Sequence, residues 1–168
     1  MKKNAKSADA IALLKADHRQ VAKWFAAFDK ARNGARREKL AAQICGALRV
    51  HAKIEEEIFY PAFIAATGDK ALHHEAEVEH AGAKNLIGQI EESGSGDDYF
   101  EAKVTVLSEM IKHHVKEEEQ PGGMFAKARK SGMDLAALGR RLKMRKLELE
   151  KDAKPNGASA VTRKLLAA

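Results

Sequence analysis

Apolar residues recur every three or four positions along most of this chain, which is the spacing that one face of an α-helix requires. The clearest run lies near the amino terminus, at Ile11, Leu14, Val21, Phe25 and Phe28, with His18 in the same register. Three similar runs follow, and each of the four ends near glycine or proline. The pattern therefore predicts four long amphipathic helices.

The predicted helices, with two shorter ones after them, have the following bounds: about 7 or 9 to 31, 35–65, 69–93, 97 or 98 to 120, 124–130 and 134–151. Pro61 lies inside the second, so we expect a kink or loosened turn near residues 57–61. Long helices with short connections predict an all-α fold, an antiparallel up-down-up-down four-helix bundle with a C-terminal helical appendage.

This organisation predicts three parts of the chain: the bundle over residues 1–130, a basic C-terminal helix over 131–151, and a flexible tail over 152–168. The 168 residues suffice for one domain, and 45% hydrophobic residues exclude wholesale disorder. A single cysteine, Cys45, excludes an intramolecular disulfide. With no signal-peptide core and no stretch approaching the roughly 20 apolar residues of a membrane span, we expect a cytoplasmic protein.

Charge is distributed unevenly along the chain. The formal charge is +8 over residues 1–50, −10 over 51–119 and +8 over 120–168. The acidic central part contains a pattern that occurs twice: His51 with Glu55, and His114 with Glu118. Residues four apart share one helix face, so each pair can present an imidazole and a carboxylate to a common point.

The more specific signal is the place where polar residues interrupt the apolar stripes. The interruptions are His18 in the first long helix, His51 and Glu55 in the second, His80 in the third, and His114 and Glu118 in the fourth. A buried carboxylate without a partner costs several kcal/mol, so this set needs compensation. A pair of metal ions provides it, and imidazole with carboxylate suits iron better than a closed structural zinc site.

The fourth helix contains a second possible ligand pair, because His113 and Glu117 are also four residues apart. The preceding apolar positions lead to His114 and Glu118, which we therefore choose. We expect His73 and His74 to lie at the surface.

These residues stand in motifs that resemble the hemerythrin-like, or HHE cation-binding, family: ADHRQV, HAKIEEE followed by YP, VEHAG and HVKEEE, over about residues 8–130. The resemblance implies a four-helix bundle holding two non-haem iron ions, oxo- or hydroxo-bridged when oxidised. Carried over by position, the implied metal ligands are His18, His51, Glu55, His80, His114 and Glu118. Glu55 and Glu118 would be the bridging carboxylates.

One departure from the family pattern matters for the chemistry. The typical pattern has a second histidine four residues before the position of His80, and this chain has Ala76 there. Glu77 is the first candidate for a seventh ligand, since Glu-x-x-His spacing serves di-iron carboxylate bundles. His73 and Tyr60 are weaker candidates, and water or a small exogenous ligand is another.

The resemblance implies a protein that binds O2 or senses it, removes peroxide, or responds to nitric oxide. The missing histidine favours an oxidant-handling centre, with weak catalase- or peroxidase-like activity, over a dedicated oxygen carrier. The alternative function is a helical interaction protein. Its basic segment, with Arg140, Arg141, Lys143, Arg145 and Lys146, would contact nucleic acid or an acidic partner. Because it lacks interleaved aromatic residues, a specific nucleic-acid role is the less favoured prediction.

Overall fold

A computed structural model describes residues 9–153, so the start of the chain and nearly all of the predicted tail at 152–168 lie outside the described residues. The described part is helical and has no strand. Its elements are α1 (Ala10–Lys30), α2 (Gly34–Ile54), a π-helical turn (Glu55–Phe59), α3 (Tyr60–Thr67), α4 (Lys70–Ser93), α5 (Phe100–Glu119), α6 (Met124–Lys130) and α7 (Leu135–Asp152). The prediction of an all-α fold is confirmed.

Helices α1, α2, α4 and α5 form the bundle, and each runs antiparallel to its neighbours. Arg49 of α2 pairs with Glu91 of α4, and Glu56 of the π-helical turn that continues α2 pairs with Lys84 of α4, so the two segments run in opposite directions. Short connections explain this arrangement, because a three-residue link between α1 and α2 leaves room only for a reversal.

The second long helix is interrupted earlier than the sequence predicts. Instead of one kinked helix over 35–65, α2 ends at Ile54 and a π-helical turn follows, in which the amide of Tyr60 bonds the carbonyl of Glu55. Pro61 has no amide hydrogen to continue regular α-helical bonding, which favours a loosened turn here. Positions five apart diverge by about 140° on a regular α-helix. The wider turn instead lets both Glu55 and Tyr60 be buried.

The buried apolar residues form two clusters at opposite ends of the bundle. One cluster includes Val21, Phe25, Phe28, Ile44, Leu48, Ile87, Phe100 and Leu107. The other includes Ile11, Leu14, Ile54, Phe59, Tyr60, Phe63, Ala76, Met124, Phe125 and Leu142. Along each bundle helix the predicted polar interruption falls between the two clusters, so a polar layer separates two apolar ones.

Helices α6 and α7 pack onto the bundle. Phe125 of α6 stacks on the ring of His18, with centroids 5.8 Å apart. Leu138 and Leu142 of α7 are buried in the second apolar cluster. Arg145 binds Glu57 of the π-helical turn. The predicted appendage is thus a helix that lies against the bundle.

Within residues 9–153, none of the helices is both long enough and apolar enough to cross a membrane.

Candidate metal centre

Four imidazoles meet in the polar layer, one from each bundle helix, and each turns its Nε2 atom inward. The Nε2 atoms of His18 and His51 lie 3.0 Å apart, and those of His80 and His114 lie 3.3 Å apart. All four side chains are buried. The histidines therefore form two pairs, α1 with α2 and α4 with α5.

Glu55 lies between the two pairs and divides its oxygens between them. Its Oε1 atom is 3.2 Å from Nε2 of His51, and its Oε2 atom is 3.4 Å from Nε2 of His80. Potential ligand atoms accordingly form two groups, His18, His51, Glu55 and Glu118 in one, and Glu55, His80 and His114 in the other. Glu55 belongs to both groups, which is the arrangement a carboxylate bridging two cations requires.

Glu118 faces the same centre from α5. Its Oε2 atom lies 3.4 Å from Nε2 of His18 and 3.7 Å from Nε2 of His114. The hydroxyl of Tyr60 lies 3.1 Å from Oε1 of Glu118 and 3.4 Å from Oε2 of Glu55, and it can donate its single proton to one of them at a time. The same hydroxyl is 3.2 Å from Nε2 of His80, so Tyr60 belongs to the cluster.

Two carboxylate oxygens in this cluster are buried without a hydrogen-bond partner among residues 9–153: Oε1 of Glu55 and Oε2 of Glu118. Their nearest imidazole nitrogens, Nε2 of His51 and Nε2 of His18, lie 3.2 and 3.4 Å away but do not form hydrogen bonds with them, and a buried oxygen without a hydrogen bond is costly in a protein interior. Ligand atoms about 2.1 Å from an ion and at right angles to each other lie about 3 Å apart, close to the spacings found here. The donor set therefore fits metal ions of the kind that accept nitrogen and oxygen ligands.

Each imidazole is held from behind by a carboxylate of the neighbouring helix, which bonds its Nδ1 atom. The pairs are Asp17 with His51 (3.4 Å), Glu56 with His80 (2.9 Å), Glu79 with His114 (2.7 Å) and Glu119 with His18 (2.8 Å). The contacts run from α1 to α2, from the π-helical turn to α4, from α4 to α5 and from α5 back to α1. We call this closed set the carboxylate ring. Such contacts orient histidine ligands and fix which nitrogen is free to bind a metal.

From the sequence, Glu56 and Glu119 are expected to be solvated or to lie just outside the ligands, and Asp17 and Glu79 are given no role at the site. A signal was present, because each ring carboxylate is the immediate sequence neighbour of a cluster residue, as in Asp17-His18 and Glu79-His80. A residue next to an inward-facing position on a helix points sideways, toward the adjacent helix.

A basic side chain contacts each ring carboxylate from outside. The contacts are Lys15 with Glu119 (3.0 Å), Lys84 with Glu56 (2.7 Å), His113 with Glu79 (3.2 Å) and Lys146 with Asp17 (2.5 Å). Three of them come from the same helix as the oriented imidazole. Lys146 comes from α7 instead, so the C-terminal helix contributes to the surroundings of the site.

The pKa values of the cluster shift in opposite directions in the metal-free protein. Burial, helped by the charge of His51, lowers the pKa of His18 to about 4. Burial also opposes the charged form of His51, but Glu55 and Asp17 raise its pKa to about 10. Burial and the charge of Glu55 raise the pKa of Glu118 to about 8. Protons thus neutralise the cluster without a metal, and a bound metal would replace them.

Glu77 is not brought to the cluster. Its side chain is 56% exposed and lies 3.5 Å from His73. The buried seam of α4 passes through Ala76, His80 and Ala83. With 3.6 residues per turn, Glu77 is displaced by about 60° to the other side of His80.

The remaining candidate residues, Tyr60, His73 and His113, differ in how close they lie to the cluster. Tyr60, a weaker candidate by sequence, lies in the cluster. His73 contacts the Tyr60 ring edge-on and its side chain is 16% exposed, so it is more buried than expected, whereas His74 is exposed as predicted. His113 is 60% exposed while His114 faces the cluster, as the apolar phase predicts.

An apolar cavity of about 30 Å³ adjoins the four imidazoles on the side of the first apolar cluster. Its walls include Val21, Leu48, Ala83, Ile87 and Ile111. A cavity needs roughly 10–15 Å³ to hold one water-sized molecule, so this one has room for a two-atom ligand.

Comparison with known proteins identifies the family and supports the fold. The hemerythrin HHE cation binding domain profile matches residues 9–122. No curated protein sequence matches the chain. The crystal structure of a hemerythrin HHE cation binding domain-containing protein, the Rv2633c homolog from Mycobacterium kansasii, superposes with a TM-score of 0.74 over 93% of this chain and 98% of that one, at 22% identity. The match over most of the chain and the buried histidine and glutamate cluster lead to one conclusion: this protein is a metal-binding helical bundle that belongs to the hemerythrin HHE cation-binding domain family.

Proposed function

We propose that this protein binds two non-haem iron ions in the polar layer and uses them to handle a small oxidant. The proposal rests mainly on Glu55, whose two carboxylate oxygens face different histidine pairs. One carboxylate serving two groups of ligand atoms supports two ions rather than one.

The residues proposed to hold the ions are those that the family pattern implies, with Tyr60 added: His18, His51, Glu55, Tyr60, His80, His114 and Glu118. Tyr60 takes the role first considered for Glu77, because its hydroxyl lies 3.2 Å from Nε2 of His80 and Glu77 points outward. Bound ferrous iron would supply electrons to dioxygen or peroxide and would bind nitric oxide.

The surrounding residues favour a diatomic ligand. The adjoining cavity of about 30 Å³ is walled mainly by aliphatic side chains, which exclude bulk water from the space next to the imidazoles. Dioxygen and nitric oxide fit such a space, whereas a bulky organic hydroperoxide does not. We therefore propose binding or sensing of dioxygen or nitric oxide as the main role and peroxide decomposition as a weak secondary activity.

Anaerobic reconstitution with ferrous iron tests the metal centre. We expect about two irons per chain and, after oxidation, the near-ultraviolet absorption of an oxygen-bridged ferric pair. Fewer than about 1.5 irons per chain without that absorption would contradict the proposal. Glu55→Gln should prevent assembly of the pair, while Glu92→Gln, an exposed change on α4, should leave it intact.

Ligand size tests the proposed role. The reduced protein should react with dioxygen and nitric oxide and should react poorly with tert-butyl hydroperoxide, as measured by optical titration. Equal reactivity toward all three would show that the cavity does not select the ligand.

A further inference from the structure

A narrow cleft of about 10 Å³ lies between α4 and α5, on the opposite side of the centre from the apolar cavity. Its outer lining includes Glu75, Glu79 and Glu117, and its inner lining includes His114 and Glu118. Glu75 is exposed, whereas Glu118 is 2% exposed. The cleft therefore extends from the surface to two of the proposed metal ligands.

Ala76 forms part of the wall of this cleft. It stands at the position where the family pattern has a further histidine, and its side chain is a single methyl group. A larger side chain here would fill a space of this size. Alanine in place of histidine at position 76 therefore removes a potential ligand and also leaves the cleft open.

A second group of potential ligands lies at the outer end. Glu75, Glu79 and His113 each offer one atom, and these atoms all lie within 4.8 Å of one another. Two carboxylates and an imidazole are a ligand set that binds divalent cations. Glu79 joins the two sites, since its Oε1 atom is 3.2 Å from His113 and its Oε2 atom is 2.7 Å from His114.

A buried carboxylate oxygen that can attract a cation lies at the inner end of the cleft. Glu118 lines the cleft, and its Oε2 atom is buried without a hydrogen-bond partner within residues 9–153. A cation that moves from the exposed outer group to this oxygen gains a ligand in buried surroundings, where the attraction between opposite charges is stronger than at the surface.

The apolar cavity is a poor route for a cation by comparison. Lys84 lines it, and Asp17, which also lines it, is bound by Lys146. Both charges are already paired, Lys84 with Glu56 and Asp17 with Lys146, so neither is free to bind a metal ion, and the aliphatic walls give it no ligands. A neutral diatomic molecule needs no such ligands on its way to the centre.

We propose that the α4–α5 cleft is the port through which divalent metal reaches the centre. Glu75, Glu79 and His113 capture the ion at the surface, and it passes Ala76 to reach Glu118 and His114. The proposal rests on the metal centre proposed above and adds a route that is separate from the route of the small ligand.

The rate of metal loading tests the port. Metal-free full-length protein is mixed with ferrous iron without oxygen, unbound iron is captured by a chelator at set times, and protein-bound iron is counted. The double variant Glu75→Gln with His113→Gln should load about tenfold more slowly, the low end of electrostatic focusing effects, and should reach the same final iron content. The matched control, Glu92→Gln with His74→Gln, changes the same residue types at exposed positions of α4 and should load at the wild-type rate.

Two changes at Ala76 test the path itself. Ala76→Leu should slow loading while circular dichroism shows unchanged helix content, and Ala76→Gly, which keeps the cleft open, should load as fast as the wild type. Wild-type loading rates in the double variant, or equal rates for the two Ala76 variants, would overturn the port. If the wild-type protein itself fails to bind a pair of irons, the metal centre fails instead, which separates the two results.

Discussion

Lys146 of α7 binds Asp17 of α1, and Asp17 in turn contacts Nδ1 of His51. Burial opposes the charged form of Asp17, but His51 and Lys146 hold its pKa below the usual range. A residue near the C-terminal end of the described chain is therefore two contacts away from the candidate metal centre.

Lys146→Ala should weaken metal binding although Lys146 touches no proposed ligand. Loss of groups that orient ligands typically costs 10–100-fold in affinity, and we expect about tenfold or less here because the effect passes through Asp17. Lys143→Ala on the exposed side of α7 is the control. Competition with a metal chelator measures both, and equal affinities would show that α7 does not influence the centre.

Tyr60→Phe should lower metal affinity by about 10–100-fold, since it removes a hydroxyl that lies among Glu55, His80 and Glu118. If Tyr60 binds ferric iron directly, the variant should also lose visible tyrosinate-to-iron absorption. Tyr99→Phe is a matched control, because Tyr99 is the other tyrosine of the chain and is 70% exposed. Unchanged affinity and spectrum in Tyr60→Phe would exclude Tyr60 from the ligand set.

The apolar phase of the helices was sufficient to place the central imidazoles. His18 follows Leu14 and precedes Val21, so any helix that buries those two residues also buries His18. The same reasoning selects His114 over His113, and the structure buries the first and exposes the second.

Pro61 predicted a loosened turn near residues 57–61, and the π-helical turn lies two residues earlier. The position of Tyr60 beside Glu55 could not be predicted, because a stripe drawn at 3.6 residues per turn assigns the two residues to different faces. Contacts between helices, such as that of Asp17 with His51, were hidden for another reason. They depend on how adjacent helices are placed side by side, and no periodicity within one helix contains that information.

Glu118→Gln should separate two free energies: the cost of burying this carboxylate in the metal-free protein and the stabilisation gained when metal binds. The amide removes a buried carboxylate beside Glu55, so the free energy of unfolding without metal should stay the same or rise. At a hundredfold excess of metal over the wild-type Kd, the wild type should gain about 2.7 kcal/mol, and the variant should gain less than about 1 kcal/mol.

Denaturant titration with and without metal measures these differences. Glu109→Gln, an exposed change on the same helix, should behave like the wild type. An equal gain in the Glu118 variant would mean that this carboxylate does not bind the metal.

Ala83→Leu should fill the apolar cavity beside the imidazoles. Overpacking of this kind typically costs 1–3 kcal/mol of stability, so we expect a folded protein with slower binding of nitric oxide and unchanged iron content. Stopped-flow mixing measures the rate, and Ala102→Leu at an exposed position of α5 is the control. A wild-type rate in the filled variant would show that ligands approach by another path.

Leu142→Ala should destabilise the whole domain. Leu142 is fully buried in the second apolar cluster, and removal of a buried leucine costs about 2–5 kcal/mol. Leu147→Ala on the exposed face of the same helix should change the free energy of unfolding by no more than about 0.5 kcal/mol. Similar small effects at both positions would indicate that α7 unfolds independently of the bundle.

The alternative role of the basic segment in binding nucleic acid stays a prediction. Arg145 and Lys146 are engaged with Glu57 and Asp17 of the same chain, which reduces the charge available to an outside partner.

The carboxylate ring has a consequence for how the four helices depend on one another. Each bundle helix carries one imidazole and, through its ring carboxylate or that of the π-helical turn beside it, holds the imidazole of the next. Movement of a single helix therefore disturbs two ligands at once, its own and its neighbour's. Because the ring closes on itself, no helix is at an end of the series, and the correct alignment of all four is a condition for binding either of the two proposed ions. The amount of metal that the protein holds would then report how completely the bundle has assembled.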